Sequence, residues 1–339
     1  MTASATVRVM TAEEIVSRGG GETPFLHWPQ RASVFAEREM RYRQLGRDHA
    51  MADYLEFLAR LSSEQQQALD RMSAVALPDA KAIDKAAHMG LPPLPAIDWP
   101  LDPQWREVAR GLARSMSCHG PVAAQASLQR LVDADDDFLD RQADALLHGL
   151  SAGLDLALAP LIGAALQVYW THLLLAVRET HQGQGQAFGH IDDETVCPCC
   201  GSRPTASITR SSGEFLGQRY LHCSLCGLEW RMVRIKCPSC LASEESLAYQ
   251  SLTGVDSSED TAAAASRAKV QAETCENCGS YLKIMHSDRD AFVDPVADDV
   301  ATVALDLLVS ETGKQRHGVN FMLLFGDPDG EPPLEEGRR

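Results

Sequence analysis

Cys197-Pro-Cys-Cys-Gly-Ser202, Cys223-Ser-Leu-Cys-Gly227, Cys237-Pro-Ser-Cys240 and Cys275-Glu-Asn-Cys-Gly279 are the stretches on which the reading of this chain turns. Nine of its ten cysteines lie between positions 197 and 278. A two-residue gap lets one tight turn present two thiolates to one ion. Two such turns supply four sulfurs in a tetrahedron, a set that suits zinc or iron. Three of the pairs are followed by glycine, at Gly201, Gly227 and Gly279. Glycine accepts the left-handed backbone that such a turn often needs. Four pairs at these intervals are more than a scatter of buried thiols explains.

The simplest association is sequential. Cys197, Cys200, Cys223 and Cys226 then form one candidate site, and Cys237, Cys240, Cys275 and Cys278 a second. The intervals inside the two groups are 22 and 34 residues, room for a hairpin in each, while only ten residues separate the groups. An interleaved pairing would force the two loops to cross. Each metal is expected about 2.3 Å from four sulfurs. Cys199 cannot easily join the same turn as its neighbours and reads as a bystander or a reactive thiol. Cys118, beside His119 on a helix end, reads as a buried structural cysteine. His222 and His286 lie near the cysteines, but the sulfur count is complete without them, so both read as surface groups or groups packed behind the ligands. Trp230 and Tyr220 read as core for small ribbons with little else to bury. Arg231, Arg234 and Lys236 read as a solvated strand face.

Working outward, the chain has 339 residues, an apolar fraction of 45% and a net charge of −16. Its length suits two or three domains and its composition a buried core. Between Cys197 and Asp290 there are 10 Lys+Arg against 11 Asp+Glu, a net of −1, so −15 lies elsewhere. Neither region offers the basic face that a nucleic-acid partner requires. The first ten residues carry one basic residue, Arg8, and no apolar run, so they do not read as a secretory signal. The expected compartment is the cytoplasm, where paired cysteines stay reduced and metal is a better reading than disulfides.

Before position 185 the patterns are helical. Residues 31–45 are rich in helix formers. Met51, Tyr54, Leu55, Leu58 and Leu61 recur at helical spacing, in a region that Pro78 closes. Leu91-Pro-Pro-Leu-Pro95 is a connector. Asp102-Pro103 starts a helix through Met116, and residues 121–131, 135–150 and 156–179 predict three more. Residues 154–177 are apolar enough to suggest a membrane span. Asp155, Pro160, Gln167 and His172 within them favour a buried core helix, with no membrane insertion. Residues 181–186 read as a linker, residues 295–308 as a late helix and residues 326–339 as a loose tail. The expected organisation is therefore multidomain, α plus small β. An all-α domain spans 1–185, a first four-cysteine ribbon 186–232, and a second ribbon with the late helix 233–325. The helical domain is expected to stay folded when a ligand such as Cys275 is replaced.

The chain resembles the FdhE family, the formate dehydrogenase accessory proteins. The resemblance rests on the first pair with Pro204, on Arg219-Tyr-Leu-His-Cys-Ser-Leu-Cys226 with Trp230, and on Val233-Arg-Ile-Lys-Cys-Pro-Ser-Cys240. It continues through Ala272-Glu-Thr-Cys-Glu-Asn-Cys-Gly-Ser-Tyr-Leu-Lys-Ile284 and Ala297-Asp-Asp299. Residues 197–308 carry it most strongly. Cys199 and Leu241, the latter in place of a glycine, depart from the pattern. The resemblance implies rubredoxin-like modules holding iron, though zinc fits the same sulfurs. It also implies a cytoplasmic, non-enzymatic assembly role and contact with the formate dehydrogenase catalytic subunit, a molybdenum or tungsten enzyme. Two other classes compete from the residues alone. A thiol or iron redox protein, or electron-transfer factor, would use the Cys-x-x-Cys chemistry, but no nucleotide-binding fingerprint or thioredoxin-like setting accompanies it. A nucleic-acid-binding zinc ribbon is disfavoured by charge.

Overall fold

A computed structural model gives the fold and describes residues 24–119, 122–181, 188, 191–212, 215–252 and 267–324. The expected linker, apart from His181, and the expected tail lie outside them.

Seven helices form the first part: α1 (Val34–Leu45), α2 (Ala52–Arg71), α3 (Ala80–His88), α4 (Gln104–His119), α5 (Gln125–Asp133), α6 (Asp136–His148) and α7 (Ala159–Thr180). Their starts follow local chemistry. Asp79 and Asp135 accept the third backbone N–H of α3 and α6, each at 2.7 Å, and Asp102 accepts from Gln104 at 2.9 Å. Helix α3 escaped the sequence reading because it is short and its apolar face is mostly alanine, with Ile83 its single buried residue. The stretch expected as one helix at 121–131 begins instead with a 3-10 turn, Val122–Ala124.

Helix α7 is long and apolar enough to cross a membrane, yet 89% of its most apolar window is buried inside the protein. It packs against α2, α4 and α6 and is apolar almost all round, as a central core helix must be. Its polar residues are tied down: Gln167 meets Gln65 at 3.2 Å, and the same Gln65 donates to the Ala164 carbonyl at 3.0 Å.

The strands form one mixed sheet: β1 (Leu26–His27), β2 (Pro204–Ser212), β3 (Phe215–Cys223), β4 (Glu229–Arg231), β5 (Leu247–Gln250), β6 (Val270–Cys275), β7 (Ser280–His286) and β8 (Gln315–Arg316). The order is β1-β4-β3-β2-β7-β6-β5, with β8 beside β7. Parallel pairing of β2 with β7, through Ser207↔Ile284, Ile208↔Met285 and Thr209↔His286, joins strands of the first cysteine group to strands of the second. Strand β1, from the start of the chain, pairs with β4 through Leu26↔Trp230.

The late helix is broken into α8 (Ala297–Ala301) and α9 (Val303–Glu311). The break has a visible cause. Buried Lys283 donates to the carbonyls of Asp299 and Thr302, at 2.8 and 3.0 Å, which competes with the helical pattern at Thr302. One large core joins helical residues such as Leu58, Leu112 and Leu166 to Cys197, Cys223, Leu225 and Trp230. A smaller one under the second ribbon contains Ile208, Tyr220, Ala272, Met285 and Leu305.

Candidate metal centres

Each cysteine pair sits on the same kind of turn. The first cysteine's carbonyl accepts the N–H four residues on in three of them: Gly201 to Cys197 at 2.8 Å, Leu241 to Cys237 at 3.0 Å and Gly279 to Cys275 at 3.0 Å. The residue after each pair has positive φ: +73° at Gly201, +72° at Gly227, +71° at Gly279 and +61° at Leu241. Leu241 therefore adopts the conformation that glycine supplies elsewhere. Reciprocal bonds close the turns, Cys197 N–H to Ser202 O at 2.9 Å, Cys223 N–H to Leu228 O at 2.9 Å and Cys237 N–H to Ala242 O at 2.8 Å.

The turns bring the sulfurs together in sequence order. Cys197, Cys200, Cys223 and Cys226 form one group, and Cys237, Cys240, Cys275 and Cys278 the other, with all four sulfurs of each group within 4.8 Å of one another. A tetrahedron with metal–sulfur bonds of about 2.3 Å has edges of about 3.8 Å. The first group shows Sγ separations of 3.6, 3.4 and 3.8 Å. The second shows 3.9 and 3.8 Å. The donor set and its spacing thus fit one tetrahedral ion per group.

Backbone amides point at the sulfurs. Leu225 and Cys226 N–H lie 3.4 Å from Cys223 Sγ, and Ser239 N–H 3.4 Å from Cys237 Sγ. These dipoles stabilise thiolate charge. Burial pushes the thiols of Cys197 and Cys226 well above the usual range, so an ion entering the first group displaces protons. Burial also raises Cys278, but the hydroxyl and amide of Ser280, with Cys240 and Cys275, outweigh it and bring that thiol to about 6.

The surroundings of the two groups differ. The first is buried throughout and wedged against the helices. Gln167 and Thr171 of α7 donate to the carbonyls of Ser224 and Cys226, at 2.8 and 3.4 Å. Leu94 and Ala96, in the proline-rich connector, donate to the carbonyls of Cys199 and Cys200, at 3.0 and 2.8 Å. The second group lies near the surface, with Cys240 half-buried and Cys278 exposed.

Other candidates fall as follows. Cys199 is buried beside the first group but outside its four sulfurs. Cys118 is exposed, not buried as expected: it sits in the last turn of α4, where its thiol donates to the Arg114 carbonyl. His222 and His286 are buried rather than on the surface. His222 packs 3.5 Å from Glu229, and the ring of His286 meets Gln271 at 2.7 Å. Trp230 and Tyr220 are core, while Arg231 and Arg234 are exposed.

Sequence reasoning missed the buried charges around the sites. Arg219 bridges Glu273 at 2.8 Å with both side chains excluded from solvent. Lys283 and Arg316 face Asp299 and Asp306, and Asn320 donates to Asp299 at 2.8 Å. Arg41 of α1 grips Asp298 through two bonds of 2.8 and 2.6 Å. The available signal was charge embedded in otherwise apolar runs, which does not itself name a partner.

Helices packed around a central α7, and two four-cysteine groups carried on one sheet, define a class of zinc-ribbon-like metal-site proteins. Comparison places the chain more narrowly. Residues 23–185 match the model described as FdhE, N-terminal, residues 196–234 the FdhE central domain and residues 235–323 the FdhE C-terminal domain. A Pseudomonas aeruginosa protein named Protein FdhE homolog is 38% identical over 303 residues, covering 89% of this chain and 94% of that one. Its namesake in Edwardsiella ictaluri is 35% identical over 325 residues, covering 95% and 99%. The crystal structure of the FdhE protein from Pseudomonas aeruginosa superposes with a TM-score of 0.73 at 37% identity, over 90% of this chain and all of that one. The chain belongs to the FdhE family.

Proposed function

We propose that the chain is a cytoplasmic accessory protein of formate dehydrogenase maturation. It binds the immature molybdenum or tungsten catalytic subunit and does not itself turn over formate. The observation that carries the reading is the pair of preformed four-sulfur groups within an FdhE-family fold. Their eight cysteines hold two metal ions, iron by preference and zinc as the alternative. A four-sulfur set closes the tetrahedron and leaves no open position for a substrate, which favours a structural or binding role over metal-centred catalysis. The net charge of −16 weighs against nucleic acid as the partner. Exposed Arg231 and Arg234, on either side of the boundary between the two ribbons, are the first residues to probe for contact.

The test is retention of the catalytic subunit by the intact protein and by Cys237→Ser, beside a formate oxidation assay of the chain alone. The intact protein should retain the subunit and the variant should retain less, with no formate turnover. Turnover by the isolated chain, or no retention where maturation depends on the protein, overturns the reading. Metal analysis with an absorption spectrum separates iron from zinc, because ferric four-sulfur sites are coloured.

A further inference from the structure

Three differences between the two cysteine groups all point the same way. The first is burial. Cys197, Cys200, Cys223 and Cys226 are all buried, whereas Cys278 is exposed and Cys240 half-buried. The second is anchoring. Turns of the first group are held by α7, through Gln167 and Thr171, and by the connector, through Leu94 and Ala96. Those of the second are held mainly by their own ribbon: Glu276 N–H donates to Ser246 O at 2.8 Å, and Lys314 reaches Cys275 O at 3.3 Å and Glu276 at 2.8 Å. The third is conformational. The Cys237 turn closes on Leu241 at φ +61°, a region that disfavours side chains, where both turns of the first group close on glycine.

An exposed thiolate is a leaving group that solvent can reach. The hydroxyl of Ser280 lies 2.9 Å from Cys278 Sγ, and the amide of Asn277 lies 3.5 Å from Cys240 Sγ. These donors can hold a thiolate that has let go of its ion. We infer that the groups divide the work: the first locks its ion into the fold, and the second exchanges its ion with external ligands, opening at Cys278. This rests on the reading that both groups hold metal. The step is a ligand substitution without electron transfer. A donor atom of the incoming ligand would bond to the metal as the bond to Cys278 Sγ breaks, the electron pair staying on sulfur, and the freed sulfur would remain a thiolate held by the Ser280 hydroxyl.

The experiment uses the full chain loaded with two equivalents of zinc and mixed with excess chromophoric chelator. One equivalent should leave in a fast phase. The second should leave about tenfold or more slowly, because its release requires opening the shared core. Iodoacetamide added after the fast phase should label Cys237, Cys240, Cys275 and Cys278 and spare Cys197, Cys200, Cys223 and Cys226. Exposed Cys118 labels throughout and serves as the internal control. Cys278→Ser should abolish or greatly accelerate the fast phase and leave the slow one unchanged. Release of both ions in one phase, or early labelling of Cys197 or Cys226, overturns the inference. A chain that takes up no zinc instead removes the metal reading beneath it, and the two failures are separable because loading is measured first.

Discussion

Leu241 holds the position that glycine holds in the other three turns, with φ of +61°. For a residue with a Cβ this conformation costs roughly 1–2 kcal/mol, of which a glycine there would return part through its freer unfolded state. Leu241→Gly should therefore stabilise the metal-loaded chain by about 0.5–1 kcal/mol, read as a higher urea midpoint. Gly227→Leu should do the reverse, and no gain in the first variant would mean the turn is not strained by its side chain. His286 gives a pH test. Burial first, then Arg289 and Arg234, lowers its pKa from 6.5 to about 4, with Asp288 opposing. The unfolded chain then takes up this proton between those values while the folded chain does not. The contribution is complete above about 6.5 and is lost as pH falls toward 4. Wild-type stability should fall more steeply across that window than that of His286→Gln, and equal slopes would refute the assignment. The cysteines were legible because metal geometry imposes a spacing that chain order preserves. The burial of His222 and His286 was not, because a histidine in a strand looks the same whether its neighbours are water or Gln271 and Glu229.

At the scale of elements, the helices announced themselves where they bury many large apolar side chains, as α2 does along one face and α7 almost all round, and stayed hidden where one is buried, as in α3. The union of the two ribbons in one sheet was invisible for a different reason: parallel pairing of β2 with β7 joins residues nearly eighty positions apart and leaves no local pattern. Across this junction lies Arg219, on β3, paired with Glu273, on β6, at 2.8 Å. The same guanidinium donates to Ser207 Oγ at 3.1 Å and Lys236 O at 2.9 Å, and Tyr249 donates to Glu273 at 2.9 Å. Glu273→Ala leaves a buried cation without its counter-charge and should cost about 3–5 kcal/mol. Replacing both partners, Arg219→Met with Glu273→Leu, should recover most of that loss, because burial of the pair is itself expensive. Denaturation midpoints of the two variants decide the matter. A double variant no more stable than the single one would show that Arg219 holds the junction through Ser207 and Lys236 instead.

At the scale of the whole molecule, the question is how far each metal group supports the helices. Sequence spacing suggested a helical half indifferent to metal, since a domain with its own core needs no staple. Coordinates add a fact that no spacing encodes: Cys197, Cys223 and Cys226 belong to the same buried cluster as Leu58, Leu112, Leu166 and Trp170. The carbonyls of Ser224 and Cys226 also satisfy Gln167 and Thr171 in the middle of α7. If the first group lets go of its ion, four thiols lose their constraint inside this core and two buried polar side chains of the central helix lose their acceptors. Unsatisfied buried groups cost about 1–3 kcal/mol each, in addition to the coupled metal free energy of about 10–16 kcal/mol that structural zinc supplies in small domains. The cysteines of the second group, on the far ribbon, do not belong to this cluster. Cys226→Ser should therefore lower the thermal midpoint of the far-UV helical signal, while Cys275→Ser should leave that signal near wild type and expose only the second ribbon to limited proteolysis. Equal losses in both variants would mean that the sheet transmits the damage from either end. A helical signal untouched by Cys226→Ser would mean that α7 and its neighbours hold their core without the first group.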